Sequence, residues 1–126
     1  MAGPVDSAFF ARLTSANERF RAGLPATLAQ LAAAGDELLP AAPQPVLVAE
    51  LQSLLHTLAG AAVTFAFREL GQGARLLEQR LGVLTAFETV GEDDWGAWLG
   101  ALARFVEAGL AAPSPGYHSS AFSILP

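Results

Sequence analysis

The spacing of the apolar residues constrains the fold of this chain more than any other feature. In four separate stretches Leu, Phe or Trp recurs every three or four residues, which is the spacing of one face of an α-helix. Ala and Leu dominate the composition and β-branched residues are few, so the composition also favours helix over strand. The chain is therefore predicted to form an all-α, antiparallel four-helix bundle.

The first predicted helix begins after Asp6 or Ser7, both of which are good N-cap residues. Pro25 lies inside this stretch and is expected to kink the helix or split it in two. The segment AAGDELLPAAPQP then predicts a connection, with Gly35 as a candidate helix stop. The apolar positions of the first stretch are Phe9, Leu13, Phe20, Leu24, Leu28 and Leu31.

The second and third helices are predicted on either side of a short turn. The second begins near Pro45, a residue suited to the first helical turn, and continues to about Ala66. The third is predicted over residues 68–84, and Gly71 and Gly73 are expected to weaken it locally.

The fourth predicted helix is capped by Asp93 or Asp94 and carries two Trp residues three positions apart, which fits core packing better than a binding motif. The tail PSPGYHSSAFSILP has turn residues and no helical period. Residues 1–112 are therefore predicted to form the bundle and residues 113–126 a flexible tail or linker. His118, within that tail, is interpreted as incidental.

Length, charge and cysteine content narrow the class of protein. A chain of 126 residues suggests one domain with a single core. A net charge of −5 provides no basic patch for nucleic acid and would be repelled by anionic lipid. The absence of Cys excludes disulfides, thiolate catalysis and cysteine metal sites. Neither a signal peptide nor an uninterrupted apolar run of about 18 residues is found, so a cytoplasmic location without a membrane span is expected.

The stretch LLHTLAGAAVTF, residues 54–65, places one of only two histidines in a helix that otherwise consists of core residues. On a helical wheel with about 100° per residue, His56 points away from the apolar stripe, so the imidazole is expected to be exposed. The stripe contains Leu51, Leu54, Leu58, Ala61 and Phe65, with Leu55 and Ala62 on its flank. The side of His56 carries Gln52, Ala49, Gly60, Val63 and Phe67.

Gly60 lies one turn after His56, inside the helix. A glycine at such a position costs about 1 kcal/mol relative to alanine, and close approach by another molecule would justify that cost. Ala59 and Gly60 leave the imidazole open, so this face is predicted to be a docking surface. The alternative interpretation is that His56 is an ordinary surface histidine and that Gly60 is an accident of packing.

The segment HTLAGAAVTFAFRELGQGARLLE, from His56 to Glu78, resembles the signature of histidine phosphotransfer (HPt) domains. The family pattern is roughly H-x-L-K-G-[AS]-[AS]-x-x-[FL]-G, followed by a helix whose apolar run ends in L-E. The segment is most similar to the HPt domains of chemotaxis-type kinases and of regulators with an N-terminal HPt module. The four-helix outline extends the resemblance across residues 5–112.

The resemblance implies a phosphocarrier in a phosphorelay of two-component signalling. His56 would accept a phosphoryl group from a phospho-aspartate on a response-regulator receiver domain, or from a histidine kinase, and pass it on. A neutral imidazole nitrogen is the nucleophile in this chemistry, and the receiver supplies Mg²⁺ and an acidic pocket.

The resemblance and the motifs together predict a monomer without a cofactor or enzymatic turnover of its own. The stretch GQGAR matches neither the P-loop nor the dinucleotide fingerprint, so no nucleotide site is expected. The two histidines lack carboxylate or cysteine partners at ligand spacing, so no metal site is expected either.

Two residues of the third helix are implied to assist the histidine. In the chemotaxis-kinase branch, an acidic residue at the position of Glu78 hydrogen-bonds the ring. Glu78 is therefore expected to hold Nδ1 of His56 and leave Nε2 to be phosphorylated. Arg75, one turn earlier, could neutralise the bound phosphoryl group. The alternatives are a solvated helix glutamate and a surface arginine.

Three positions depart from the family pattern. The usual Lys is Ala59 here, so stabilisation of the phosphoryl group would be weaker or come from Arg75. Val63 stands where a small residue is common, and Ala66 replaces the glycine of the turn. The receiver-binding face is expected to include Gln52, Ala59, Gly60, Val63 and Phe67.

The sequence is also compatible with two other functions. A degenerate HPt-like bundle could bind a receiver or kinase without phosphotransfer, because the usual Lys is lost and Val63 lies on the docking face. Such a module would tolerate His56→Gln in binding and in function. A purely structural bundle could dimerise through the His56 face, an idea that fails if wild type and Val63→Arg are both monomeric.

Overall fold

A computed structural model describes residues 4–87 and 90–111, with the backbone alone for residues 4–6. Over these residues the chain is all-α and contains no strand, which confirms the predicted four-helix bundle. Each helix packs against two neighbours in the ring α1–α2–α3–α4. The helices are α1 (Pro4–Glu37), α2 (Pro45–Thr64), α3 (Arg68–Ala86) and α4 (Glu92–Ala111).

The first helix is continuous through Pro25, so of the two outcomes expected at this proline, a kink or a split, the split is wrong. A proline inside a helix removes one backbone hydrogen bond and crowds the preceding turn. Here the flanking side chains of Leu24 and Leu28 are buried in the core, and Pro25 itself faces solvent. Tertiary packing on both sides of the proline therefore holds the helix together.

Gly35 does not stop α1, which ends two residues later at Glu37. A Cβ atom placed on Gly35 would lie 2.9 Å from Cδ2 of Leu102, so α4 packs closely on α1 at this point. The chain then turns at Gln44, whose side-chain amide donates to the carbonyl of Glu37 (2.9 Å) and whose Oε1 accepts from the Leu39 amide (3.0 Å).

The turn between α2 and α3 ends the second helix at Thr64, two residues before the predicted end. The Phe67 amide donates to the carbonyl of Ala62 (2.8 Å), and the Ala66 amide donates to the carbonyl of Val63 (3.3 Å). This is a Schellman turn, whose central residue adopts the left-handed conformation that favours glycine. Ala66 occupies that position with φ 64°, so alanine adopts the strained backbone expected of the family glycine.

The fourth helix begins at Glu92, so Asp93 and Asp94 lie in its first turn and do not precede it as caps. Asp94 still assists the helix start, because its Oδ2 accepts a hydrogen bond from the Gly91 amide (3.1 Å). Both Trp residues are buried, as core packing predicts. Trp98 Nε1 donates to the carbonyl of Leu77 (3.0 Å) and so ties α4 to α3.

Within the described residues, only α2 is long and apolar enough to pass for a membrane span by length and composition. The core helix of a bundle passes the same test. One face of α2 is buried against α1 and α3, and the opposite face carries polar residues, including His56. Helix α2 therefore behaves as a core helix within this fold.

Candidate functional site: the His56 face of helices α2 and α3

His56 projects from the middle of α2 with 77% of its side chain exposed. Its Nδ1 lies 2.8 Å from Oε2 of Glu78, whose side chain is 28% exposed. A carboxylate accepts the hydrogen bond when Nδ1 carries the proton, which makes Nε2 the unprotonated nitrogen of the neutral ring. The sequence-predicted pair of His56 and Glu78 is therefore brought together, and the ring is held at one nitrogen only.

The position of this pair follows from the packing of α2 on α3. On α2 the side chains of Leu55 and Leu58 are buried on either side of His56 in sequence, which turns the imidazole outward. On α3 the fully buried Leu77 and Leu81 flank Glu78 in the same way. Because the core side chains fix both helices, the two polar side chains meet at the solvent edge of the interface.

Small residues bring the two helices close together. A Cβ atom on Gly71 would lie 3.3 Å from both Ala62 Cβ and Val63 Cγ2, and 3.5 Å from the carbonyl oxygen of Ala59. Gly73 and Ala74 are buried as well. Gly71 thus serves close helix packing, a role that the sequence interpretation of a locally weakened helix had missed.

A groove of about 440 Å³ surrounds the imidazole. Arg75 lies on its α3 side, one turn before Glu78, and no carboxylate lies within 4 Å of its guanidinium in the described part of the chain. Gln52, one turn before His56, lines the α2 side. The groove therefore offers one exposed nucleophilic ring, one guanidinium and the side-chain amides of Gln52 and Gln79.

Gly60 borders the same groove on α2, and a Cβ atom placed there would meet nothing within 4 Å. Packing inside the chain therefore does not require this glycine. Its backbone carbonyl accepts a hydrogen bond from Thr64 Oγ1 (3.0 Å). The surface beside the imidazole is left flat and open at this point.

Two residues predicted for the docking face are not on an exposed surface. Phe67 is buried, because the Schellman turn carries it back into the bundle, where its ring lies 4.9 Å from that of Phe20. The helical wheel failed here because it extended α2 beyond Thr64. Ala59 is also buried and forms part of the groove floor, where α3 covers it.

The core face of α2 is rotated relative to the predicted stripe. Leu55 and Ala62, which were placed on the flank, are fully buried, whereas Leu54 and Phe65 are only partly buried. Helix α2 packs against both α1 and α3, so its buried arc is centred between the two neighbours. Val63 is exposed as predicted but lies outside the groove, towards the turn.

Gln79 and Gly82 line the groove and were missed by the sequence analysis. Gly82 stands four residues after Glu78, on the same face of α3, and a Cβ atom there would also meet nothing within 4 Å. Helical spacing from Glu78 is the signal that could have found it. His118 lies outside the described residues.

The sequence model of the family described as Hpt domain matches residues 17–111, which is more than half of the chain. The chain belongs to the Hpt domain family. No curated protein and no solved structure matches it significantly. Hpt domains act in histidine phosphotransfer within phosphorelays, where they interact with kinases and receiver domains.

Membership of the Hpt family agrees with the architecture described above, since the match spans the bundle from the middle of α1 to the end of α4. Hpt domains are phosphocarriers rather than enzymes with nucleotide sites. Among the residues that the structure describes, the exposed histidine of this Hpt domain is His56.

Proposed function

We propose that this Hpt domain is a phosphorelay intermediate that carries a phosphoryl group on Nε2 of His56. The observation that carries the proposal is the exposed imidazole whose Nδ1 is held 2.8 Å from Glu78 Oε2. A nucleophile for phosphoryl transfer must be accessible, neutral and held in a fixed orientation. The hydrogen bond to Glu78 provides the orientation, and the open groove provides the access.

The transfer step needs little from the chain itself. The Nε2 lone pair attacks the phosphorus of a receiver's phospho-aspartate, a P–N bond forms and the acyl-phosphate P–O bond breaks. The receiver's carboxylate leaves, and the receiver contributes the Mg²⁺ that balances charge on the phosphoryl oxygens. The ring then carries a positive charge with the proton still on Nδ1, beside the carboxylate of Glu78. The reverse sequence passes the group to the next receiver.

We assign to Arg75 the role of neutralising the negative charge of the bound phosphoryl group. The usual Lys of the family pattern is Ala59 here, and Ala59 is buried in the groove floor. Arg75 lines the same groove from α3 and is exposed. A guanidinium can form charge-assisted hydrogen bonds to phosphoryl oxygens, so it would supply the cation that position 59 lacks.

Receiver docking would use the surface next to the imidazole. Gly60 and Gly82 flank the groove without steric need inside the chain. Gln52 and Gln79 add amide groups at its edges, and Val63 extends the surface towards the turn. We place this docking in the cytoplasm.

The test is phosphorylation by a panel of phosphorylated receivers and kinases, read by intact mass under neutral conditions. Wild type should gain one phosphoryl group that is acid-labile and alkali-stable, and His56→Gln should gain none. The second histidine of the chain supplies a matched control, because His118→Gln should behave as wild type. Glu78→Gln and Arg75→Gln should each slow the transfer while receiver binding persists.

The degenerate binding module is the second candidate, and the buried Ala59 in place of the family lysine favours it. In that case no adduct forms on wild type, and His56→Gln binds receivers as tightly as wild type does. An adduct that survives His56→Gln would contradict both candidates.

A further inference from the structure

Helix α1 is much longer than the two helices against which it packs, α2 and α4. Its 34 residues extend about 51 Å, whereas the 20 residues of each neighbour extend about 30 Å. Residues 7–15 are all exposed, and Leu24 is the first buried residue among the described side chains of α1. The N-terminal turns of α1 therefore project beyond the bundle, and residues 7–17 are called the projecting turns below.

Helix α4 covers one side of α1 and runs antiparallel to it. Gly109 packs on Leu28, and seven residues earlier Leu102 packs on Gly35. Residue numbers fall along α1 as they rise along α4, so the end of α4 at Ala111 lies about two residues past Leu28, towards the projecting turns. Cover by α4 stops there, in the middle of α1.

The side of α1 that α4 covers continues into the projecting turns. An α-helix has about 3.6 residues per turn, so the direction of its side chains repeats after about 18 residues. Phe10 stands 18 residues before Leu28, and Asn17 stands 18 residues before Gly35. Phe10 is 62% exposed, and Oδ1 of Asn17 is buried without a hydrogen-bond partner in the described part of the chain. An apolar ring and an unpaired carbonyl oxygen therefore lie on the line along which α4 would continue.

The projecting turns do not have the surface of a helix that water surrounds. Phe9 and Leu13 are 52% and 39% exposed beside Phe10, and Arg12 is the only charged residue between positions 7 and 17. A solvated helix normally carries polar and charged residues on its exposed faces, and an isolated helix of three or four turns is marginal in water. This composition indicates that another segment covers the projecting turns.

The segment that follows α4 in the chain has matching chemistry. Residues 112–126 carry no charged side chain. Their large apolar residues are Tyr117, Phe122, Ile124 and Leu125. Pro113 and Pro115 lack the amide protons that a further turn of α4 would need, which leaves the face of α1 beyond Ala111 free for a segment other than α4.

We propose that residues 112–126 dock on the projecting turns of α1 and continue the layer that α4 begins. Phe122 and the apolar residues after it cover Phe10 and Leu13. A backbone amide of the docked segment donates a hydrogen bond to Oδ1 of Asn17, which satisfies the buried oxygen.

The length of the segment fits this path. The axis of α1 rises about 24 Å from the level of Ala111 to that of Phe10. The 11 residues from Ala112 to Phe122 reach up to about 36 Å when extended, which leaves room for a turn at the two prolines. Because the segment is tethered at the edge of the face it covers, its effective concentration there exceeds that of any separate molecule of ordinary concentration.

Docking of this segment is independent of the proposed phosphotransfer. The docking face lies on the side of α1 that points to α4, whereas the groove of His56 lies between α2 and α3. His56→Gln should therefore abolish phosphorylation and leave the docking unchanged, so failure of one proposal does not carry over to the other.

Amide hydrogen exchange of the full chain tests whether the segment protects α1. Phe122→Glu should release the segment, and the amides of residues 8–17 should then exchange about fivefold faster than in wild type. Phe87→Glu is the matched control, because Phe87 is 61% exposed at the end of α3, and it should leave the exchange of residues 8–17 unchanged. Equal exchange of residues 8–17 in Phe122→Glu and wild type would overturn the proposal.

Spin labels test where the segment lies. The chain has no Cys, so the double variant Thr14→Cys, Ser123→Cys carries labels at these two positions alone. Dilution of this variant in excess unlabelled wild type restricts the measured distances to pairs within one chain. Docking predicts one narrow distance distribution, which Phe10→Glu should broaden, because a released segment of 12 residues scatters over roughly 20 Å around Ala111.

Two results of the distance measurement would contradict the docking. A broad distribution without Phe10→Glu would show that the segment has no fixed place on α1. A narrow distribution that disappears on dilution with unlabelled protein would assign the face to a second copy of the chain, and it would overturn the proposal as well.

Discussion

The α2–α3 interface and the N-terminal turns of α1 use the same helical spacing of apolar residues with opposite results. Between α2 and α3 small residues let the two helices meet closely, and Leu70, Leu77 and Leu81 of α3 are buried. On α1 the stripe continues past the end of the bundle, and Phe9 and Phe10 remain exposed. The difference shows that spacing defines a helix face, whereas the length of the neighbouring helices decides how much of that face is covered.

The difference in burial between the two ends of α1 can be tested by replacing one leucine of its apolar stripe at each end. Leu28→Ala should lower the free energy of unfolding by about 3 kcal/mol, because it leaves a cavity in the core. In wild type the Leu28 side chain fills the space next to Gly109, where an added Cβ atom would lie 2.8 Å from Leu28 Cδ1. Leu13→Ala should change stability by less than about 0.5 kcal/mol in dilute solution. Urea unfolding of both variants measures this difference. Equal losses in the free energy of unfolding would mean that the N-terminal turns of α1 pack against the chain's own bundle.

Gly71 on α3 lies in the packed interface between α2 and α3, whereas Gly60 on α2 lies on an open face. Substitutions at these two glycines test that difference. Gly71→Leu should cost about 2 kcal/mol of stability, since its side chain would collide with Ala62 and Val63. Gly60→Ala should instead raise stability by up to about 1 kcal/mol, because nothing lies within 4 Å of the added Cβ atom.

Receiver binding supplies the second measurement for the glycine pair. If the surface at Gly60 contacts a receiver, Gly60→Ala should weaken binding even though the protein becomes more stable. An unchanged affinity would exclude Gly60 from the docking surface, and a loss of stability would contradict the open space around it.

The smallest expected change in stability comes from a substitution in the turn that links α2 to α3. Ala66 has φ 64°, a left-handed conformation that costs an L-residue about 1–2 kcal/mol and glycine almost nothing. Part of the gain from Ala66→Gly is lost to the greater freedom of glycine in the unfolded chain, which leaves about 1 kcal/mol of added stability. Thermal unfolding measures the stability gained by Ala66→Gly, and Ala42→Gly in an exposed loop serves as the control. A destabilised Ala66→Gly would show that the turn does not hold this conformation in solution.

The sequence alone predicted the four helices to within a few residues at most ends, because amphipathic spacing is a local property that the chain carries in its own order. It also predicted that His56 faces outward and that Glu78 is the residue to meet it, the latter through the family signature. Pro25 and Gly35 misled the prediction, since both are helix breakers in isolation. Core packing around Leu24, Leu28 and Leu102 outweighs their local preference.

What only the tertiary structure decided is which residues of each helix face are covered. Phe67 entered the core because a Schellman turn reversed the chain, and Ala59 was covered because Gly71 allowed α3 to approach. The open space around Gly82 and the exposure of Phe9 and Phe10 at the N-terminal end of α1 were equally invisible in the sequence. Local order along one helix follows from the residues within it, whereas burial depends on neighbours that are distant in sequence, and no single-helix pattern contains their positions.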